Sequence, residues 1–182
     1  MYIHNDSIVT SASDLTAASH CEFAVLRKLD ATLGRIDPVA KPEDAMLERA
    51  SKLGDAHERR ILDDLVRSHP GRVIEIPQPD VRDDASLRAA VDATAAAFAA
   101  GIDVVFQATF ANEEFIGFAD FIVRQPDWRY MVQDSKLART PRVTALMQRA
   151  AYVDQLDRLG IARVHTVEVL LGDGTVSAHR VD

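Results

Sequence analysis

The stretch "GFADFIVRQPDWRYMVQDSKLA", Gly117–Ala138, reads as two apolar strands joined by a Pro-Asp-Trp turn. It places Asp120 in the first strand and Asp134 and Lys136 in the second, where a sheet with no other duty would carry apolar residues. A turn symmetric about Asp127 sets Arg124 opposite Tyr130, Ile122 opposite Val132, and Asp120 opposite Asp134. Directly opposed side chains lie about 4.5–5.5 Å apart at Cβ, and like charges there destabilise a sheet. Lys136, two residues beyond Asp134, projects from the same face. Two readings are open. One is an ordinary ion pair at a solvated strand end. The other is a carboxylate pair for Mg²⁺ or Mn²⁺, with water and phosphate oxygens completing the octahedron.

Outward from this hairpin, "DVVFQATF" is a strand turning at Ala111-Asn112 into "EEFIGFADFIVR", which makes a meander of three strands through Leu137. Before it, "RVIEI" is a short strand and "DDASLRAAVDATAAAFAAG" a helix closed by Gly101. The segment "PEDAMLERASKLGDAHERRILDDLVRSH" opens with Pro42 and two acids, a helix N-terminus, and runs as a long helix with Gly54 as its weak point. Earlier still, "SASDLTAASHCEFAVLRKLD" predicts one helix from an N-cap at Ser13 to about Leu29, with Leu15, Ala18, Phe23 and Leu26 at helical spacing. On the other side, Thr140 caps and Pro141 opens the helix "PRVTALMQRAAYVDQLDRLG", and "ARVHTVEVLL" and "TVSAHRV" form a hairpin around Asp173-Gly174. The pattern predicts an α/β fold, a mixed sheet with helices on both sides, in one domain spanning residues 1–182.

With 47% apolar and 27% charged residues, the 182-residue chain has the composition of a globular protein. No run approaches the roughly 18 apolar residues of a membrane span, and "MYIHNDSIVT" lacks the regions of a signal peptide, so a cytoplasmic protein is expected. One cysteine, Cys21, excludes an internal disulfide or a complete Cys-based zinc site within the chain. A net charge of −7 argues against nucleic-acid binding by the surface as a whole, but not against a local basic patch. From Lys136 to Val153 the chain carries Lys136, Arg139, Arg142 and Arg149 and no acid, which reads as a phosphate track or as a solvated helix face. Gln148 and Tyr152, four apart, share a helix face and can meet one ligand, or simply mark an amphipathic boundary.

Taken together, "GDAHE" (Gly54–Glu58), "GFAD" (Gly117–Asp120), "DSK" (Asp134–Lys136) and "QRAAY" (Gln148–Tyr152) resemble, in order, the motifs of the RecB-like branch of the PD-(D/E)xK nuclease superfamily. The likeness, which extends to CRISPR-associated RecB-like exonucleases, runs from about Ser11 to Gly174. It implies a restriction-endonuclease-like core and metal-dependent hydrolysis of DNA phosphodiesters in repair or processing. On that likeness Asp120, Asp134 and the backbone carbonyl of Ser135 ligate Mg²⁺ or Mn²⁺, and Lys136 orients or deprotonates the attacking water and offsets charge on the transition state. His57 adds an imidazole ligand that favours Mn²⁺; without the motif it reads as a partly buried helix histidine. Glu58, about 100° around the helix from His57, supports the site from behind or has a structural role.

In the same family a cysteine near the start joins three later ones around an iron–sulfur cluster, and Cys21 stands where that first cysteine is expected. A cluster needs four thiolates, so none is expected in this chain. Either the natural protein continues beyond Asp182, or the cluster is absent and Cys21 is a small buried hydrophobe. DNA is the expected partner, with a helicase or further domains of a longer chain beside it and no membrane. A noncatalytic member of the same fold, binding nucleic acid or a partner protein, is the alternative.

Overall fold

The computed structural model describes residues 1–4, 7–40, 44–140 and 143–181. A hairpin that the sequence pattern does not announce comes first: β1 (Tyr2–His4) pairs antiparallel with β2 (Ser7–Val9), Tyr2 opposite Val9. Three residues per strand are too few for an alternation to be legible. The single helix expected from Ser13 to Leu29 is two, α1 (Ala12–His20) and α2 (Glu22–Thr32), broken at Cys21, which takes φ −163° and ψ 102°. Cys21 is exposed rather than buried. The cap is Ser11, not Ser13: the Asp14 carboxylate accepts from the Ser11 N–H at 2.9 Å and its hydroxyl at 2.7 Å. Burial would push the buried Asp14 carboxyl up, but Lys28 of α2, the Met1 amine and Ser11 outweigh it and hold it far below the usual carboxylate range.

The long helix α3 (Ala45–Ser68) begins behind Asp44, whose carboxylate accepts from the Met46 and Leu47 N–H groups at 2.9 and 3.1 Å, and it continues unbroken through Gly54. The expected start at Pro42 lies outside the described residues. Then follow β3 (Val73–Glu75), α4 (Asp84–Ala99) and the expected meander of β4 (Val104–Ala111), β5 (Ile116–Arg124) and β6 (Tyr130–Lys136). Helix α5 (Val143–Arg158), whose expected opening at Pro141 is likewise outside the described residues, leads to the hairpin of β7 (Arg163–Leu171) and β8 (Val176–Arg180).

These strands form a six-stranded mixed sheet in the order β3-β4-β5-β6-β7-β8. The pairs β3/β4 and β6/β7 are parallel and the others antiparallel. Parallel neighbours need a crossover, which α4 and α5 supply. On one face Leu62 of α3 packs with Val104, Phe106, Phe121 and Val123. On the other, Ala12 of α1, Phe98 of α4 and Val153 and Leu156 of α5 pack with Val105, Ile122 and Val167. Helices thus cover both faces, and β4 is buried at six of its eight positions as a doubly covered strand should be. Among the described residues no helix is long and apolar enough to cross a membrane.

One irregularity interrupts the alternation. Phe106 and Phe121 belong to the α3 side, whereas Ala108 and Ala119, two residues away in each strand, join the α5 side. Between them stands Gln107 at φ 55°, a left-handed backbone that a residue with a Cβ seldom adopts. By the flanking pairs Phe106↔Phe121 and Ala108↔Ala119, Asp120 falls opposite it.

Candidate active site

The hairpin register agrees with the symmetric turn through four pairs, from Arg124↔Tyr130 to Phe121↔Gln133. The ladder stops there, one step short of Asp120 and Asp134. The Ser135 N–H instead donates to the Asp120 carboxylate at 3.2 Å, so a side chain takes the bond a neighbouring strand would have taken. Asp120, Asp134, Lys136, Gln148, Arg149 and Tyr152 line one cavity of about 220 Å³ at this point. Tyr2, Ser11 and Ser13, from the unannounced hairpin and the start of α1, contribute to its wall.

Asp134 is the hub of the charges. The Lys136 ammonium lies 3.0 Å from its Oδ1 and 2.9 Å from its Oδ2. The Arg149 guanidinium closes on Oδ2 from α5. Arg149 is 1% exposed, the largest fully buried side chain among the described residues, so it lies on no surface phosphate track. Its burial has a plain cause: Arg149, Val153 and Leu156 follow at i, i+4 and i+7 on the stripe that α5 turns to the sheet. Of the other expected track residues, Arg139 is exposed after the end of β6, and Arg142 is outside the described residues.

The remaining groups respond to burial and to each other. Burial lifts the Asp120 carboxyl above the usual range, against the opposing pull of Lys136, the Ser135 N–H and Arg149. Burial and then the Asp120 charge lift Glu58, while a hydrogen bond from Gln107 opposes the rise. Burial lowers Arg149 to about 10, which leaves it cationic at neutral pH. Burial raises the Tyr152 hydroxyl, with Asp120 adding to it, so that the phenol stays protonated.

Of the two α3 residues, His57 does not reach the carboxylate pair, whereas Glu58 stands behind Asp120. Buried His57 has Nε2 3.4 Å from the Leu170 carbonyl oxygen and the Arg60 guanidinium 3.3 Å from Nδ1. It lines a different groove, of about 540 Å³, between α3 and the β7–β8 hairpin. Glu58, half-buried, accepts from the Gln107 side-chain amide at 2.9 Å and lies within electrostatic reach of Asp120 and Lys136. The cause is the rotation of α3: Leu62, seated on Phe106 and Phe121, carries Glu58 one turn earlier over β4 and leaves His57 over β7. The three-ligand set with His57 is therefore not formed. Among the described residues no three His, Cys, Asp or Glu side chains gather as a metal-holding group. Asp120 and Asp134 remain as two hard oxygen donors, which suit Mg²⁺ or Mn²⁺ by type.

Tyr152 is placed by aromatic packing, its ring centroid 6.1 Å from those of Phe110 and Phe115. Gly117 makes room for it. A Cβ there would lie 2.7 Å from the Phe115 ring and 2.8 Å from that of Tyr152. Gln107 and the wall from Tyr2, Ser11 and Ser13 escaped the sequence reading, and Arg149, expected on a phosphate track, is instead the buried partner of Asp134. Gln107 had a signal, as the one polar amide in the apolar run "VVFQATF", and Arg149 had one in its i, i+4, i+7 relation to Val153 and Leu156. In comparisons with known proteins, the chain matches no protein-family model and no curated protein.

Proposed function

We propose that the protein is a metal-dependent deoxyribonuclease with a restriction-endonuclease-like core, of the RecB-like PD-(D/E)xK kind, acting in DNA repair or processing in the cytoplasm. The observation that carries the reading is the meeting of Asp120, Asp134 and Lys136 with Gln148 and Tyr152 in one cavity at the break between β5 and β6. Those five residues come from three separated segments, and a sheet without a ligand would gain nothing by placing two carboxylates there.

Asp120 and Asp134 supply the oxygen donors. These two carboxylates would hold Mg²⁺ or Mn²⁺, which would supply Lewis acidity towards the scissile phosphate and lower the pKa of a water. Lys136 holds its ammonium against Asp134 while remaining 41% exposed, so it can meet an incoming phosphate oxygen and the attacking water. Its charge offsets the negative charge that grows in the transition state. The protonated Tyr152 phenol and the Gln148 amide offer neutral hydrogen bonds that orient substrate at the α5 wall. Glu58 and Gln107 hold the far side of Asp120, and exposed Arg139 extends the site towards the DNA backbone.

The test is incubation of purified protein with linear and circular, single- and double-stranded DNA in Mg²⁺, Mn²⁺ or EDTA. Cleavage is expected with metal only, and is lost in Asp120→Asn and Lys136→Ala. Folded protein that cuts none of these substrates overturns the reading. A second reading, a noncatalytic member that binds nucleic acid or a protein such as a helicase, draws support from the Arg149–Asp134 ion pair, which occupies one carboxylate. It predicts DNA retention that is equal in EDTA and in Mn²⁺, without product.

A further inference from the structure

Resting on the nuclease reading, we infer that Arg149 makes cation binding at Asp120 and Asp134 conditional on a phosphodiester, so that metal and DNA enter this site together. Two carboxylates here are already matched by two cationic side chains. Lys136 and Arg149 both touch Asp134, and both act on Asp120 through space. A divalent cation arriving alone would add two positive charges beside two that are present, at separations where repulsion in a partly dry site is strong. Lys136 can relieve it, since its side chain is 41% exposed and free to swing outward into water.

Arg149 cannot relieve it in that way. Its side chain is 1% exposed, it sits on the sheet-facing stripe of α5, and it would have to leave the helix–sheet interface to escape. A phosphodiester bound in the mouth of the cavity restores the balance with its own negative charge. Each ligand then raises the affinity of the other by the same factor, as linkage requires. Arg149 is thus a positioning residue that acts through Asp134, and it confines the loaded site to the DNA-bound state. In the cell this limits exposure of a water-activating centre when no substrate is present.

The experiment is calorimetric titration of the full chain with Mn²⁺ alone, and again with a short oligothymidylate carrying hydrolysis-resistant charged linkages. A methylphosphonate oligonucleotide, uncharged but of similar shape, is the control. Wild-type protein is expected to bind Mn²⁺ about tenfold tighter or more with the charged oligonucleotide, a change of about 1.4 kcal/mol per tenfold, and to gain nothing from the neutral one. Arg149→Met is expected to bind Mn²⁺ unaided about tenfold tighter than wild type and to lose most of the oligonucleotide effect. Arg149→Lys should keep the effect, and the wild-type measurement stands alone if Arg149→Met does not fold. Wild-type Mn²⁺ affinity that ignores the charged oligonucleotide, or a folded Arg149→Met with unchanged affinity and coupling, overturns this inference while leaving the nuclease reading intact. Failure of every form to bind Mn²⁺, with or without oligonucleotide, overturns both.

Discussion

A methyl group at Gly117 has nowhere to go, since its carbon would stand 2.7 Å from the Phe115 ring and 2.8 Å from that of Tyr152. Gly117→Ala is therefore expected to push Tyr152 out of the cavity and to lower stability by about 1–3 kcal/mol. Urea unfolding reads the loss, and a wild-type midpoint would show that the ring does not lie against this backbone. The two carboxylates, equivalent on paper, differ as strongly. Asp134→Ala leaves the buried Arg149 charge without its carboxylate and should cost about 3–5 kcal/mol. Asp120→Ala removes a carboxyl whose ionised form burial already disfavours, so the metal-free protein should lose much less. The double variant Asp134→Ala/Arg149→Met should recover a large part of the single-variant loss. Equal losses for Asp120→Ala and Asp134→Ala would contradict the charge arrangement.

Two glycines show how the same substitution has opposite effects in different elements. At Gly172, where β7 ends, a Cβ would lie 2.3 Å from the Leu137 carbonyl oxygen, just past the end of β6. Backbone cannot rotate away as a side chain can. Gly172→Ala should force apart the strand ends beside Lys136, with a loss of about 1–3 kcal/mol. At Gly54, within α3, nothing lies within 4 Å of the added Cβ. Gly54→Ala should raise stability by about 0.5–1 kcal/mol, because alanine loses less backbone entropy in a helix. Thermal unfolding of both variants is the check, and a shift of the same sign in both would refute the contrast. Strand β4 carries a third backbone constraint in Gln107, whose left-handed φ of 55° changes which side chains face α5 and opens the sheet beside Asp120.

At the scale of the molecule, pH acts on two sets of carboxyls with opposite sign. Asp14 is held far below its ordinary value, so its contribution is present above about pH 3.9 and is lost as pH falls below it. Asp120 and Glu58 are raised, so the folded protein holds their protons more tightly than the unfolded chain does. Their contribution is present in acid and is lost as pH rises from the ordinary carboxylate range through their folded values. Urea midpoints of the metal-free protein across pH should accordingly decline on both sides. Asp14→Asn is expected to flatten the acid limb and Asp120→Asn to flatten the decline above it. An unchanged acid limb in Asp14→Asn would show that the Ser11–Lys28–Asp14 junction of α1 and α2 does not carry this charge.

The sequence by itself determined the elements whose signals are local. Alternation and a short turn were enough for the β4–β6 meander and for the register that brings Asp120 towards Asp134, and a four-residue spacing was enough to put Gln148 and Tyr152 on one face. Both periods act within a few residues of the chain, so a linear reading captures them. Only the tertiary structure decided the rotation of α3, which turns Glu58 to Gln107 and His57 to Leu170, partners 49 and 113 residues away. It alone decided that Arg149 neutralises Asp134 and that the N-terminal hairpin helps to wall the cavity. Charge compensation and helix rotation depend on which distant segments meet in the packed core, and no local period encodes that meeting.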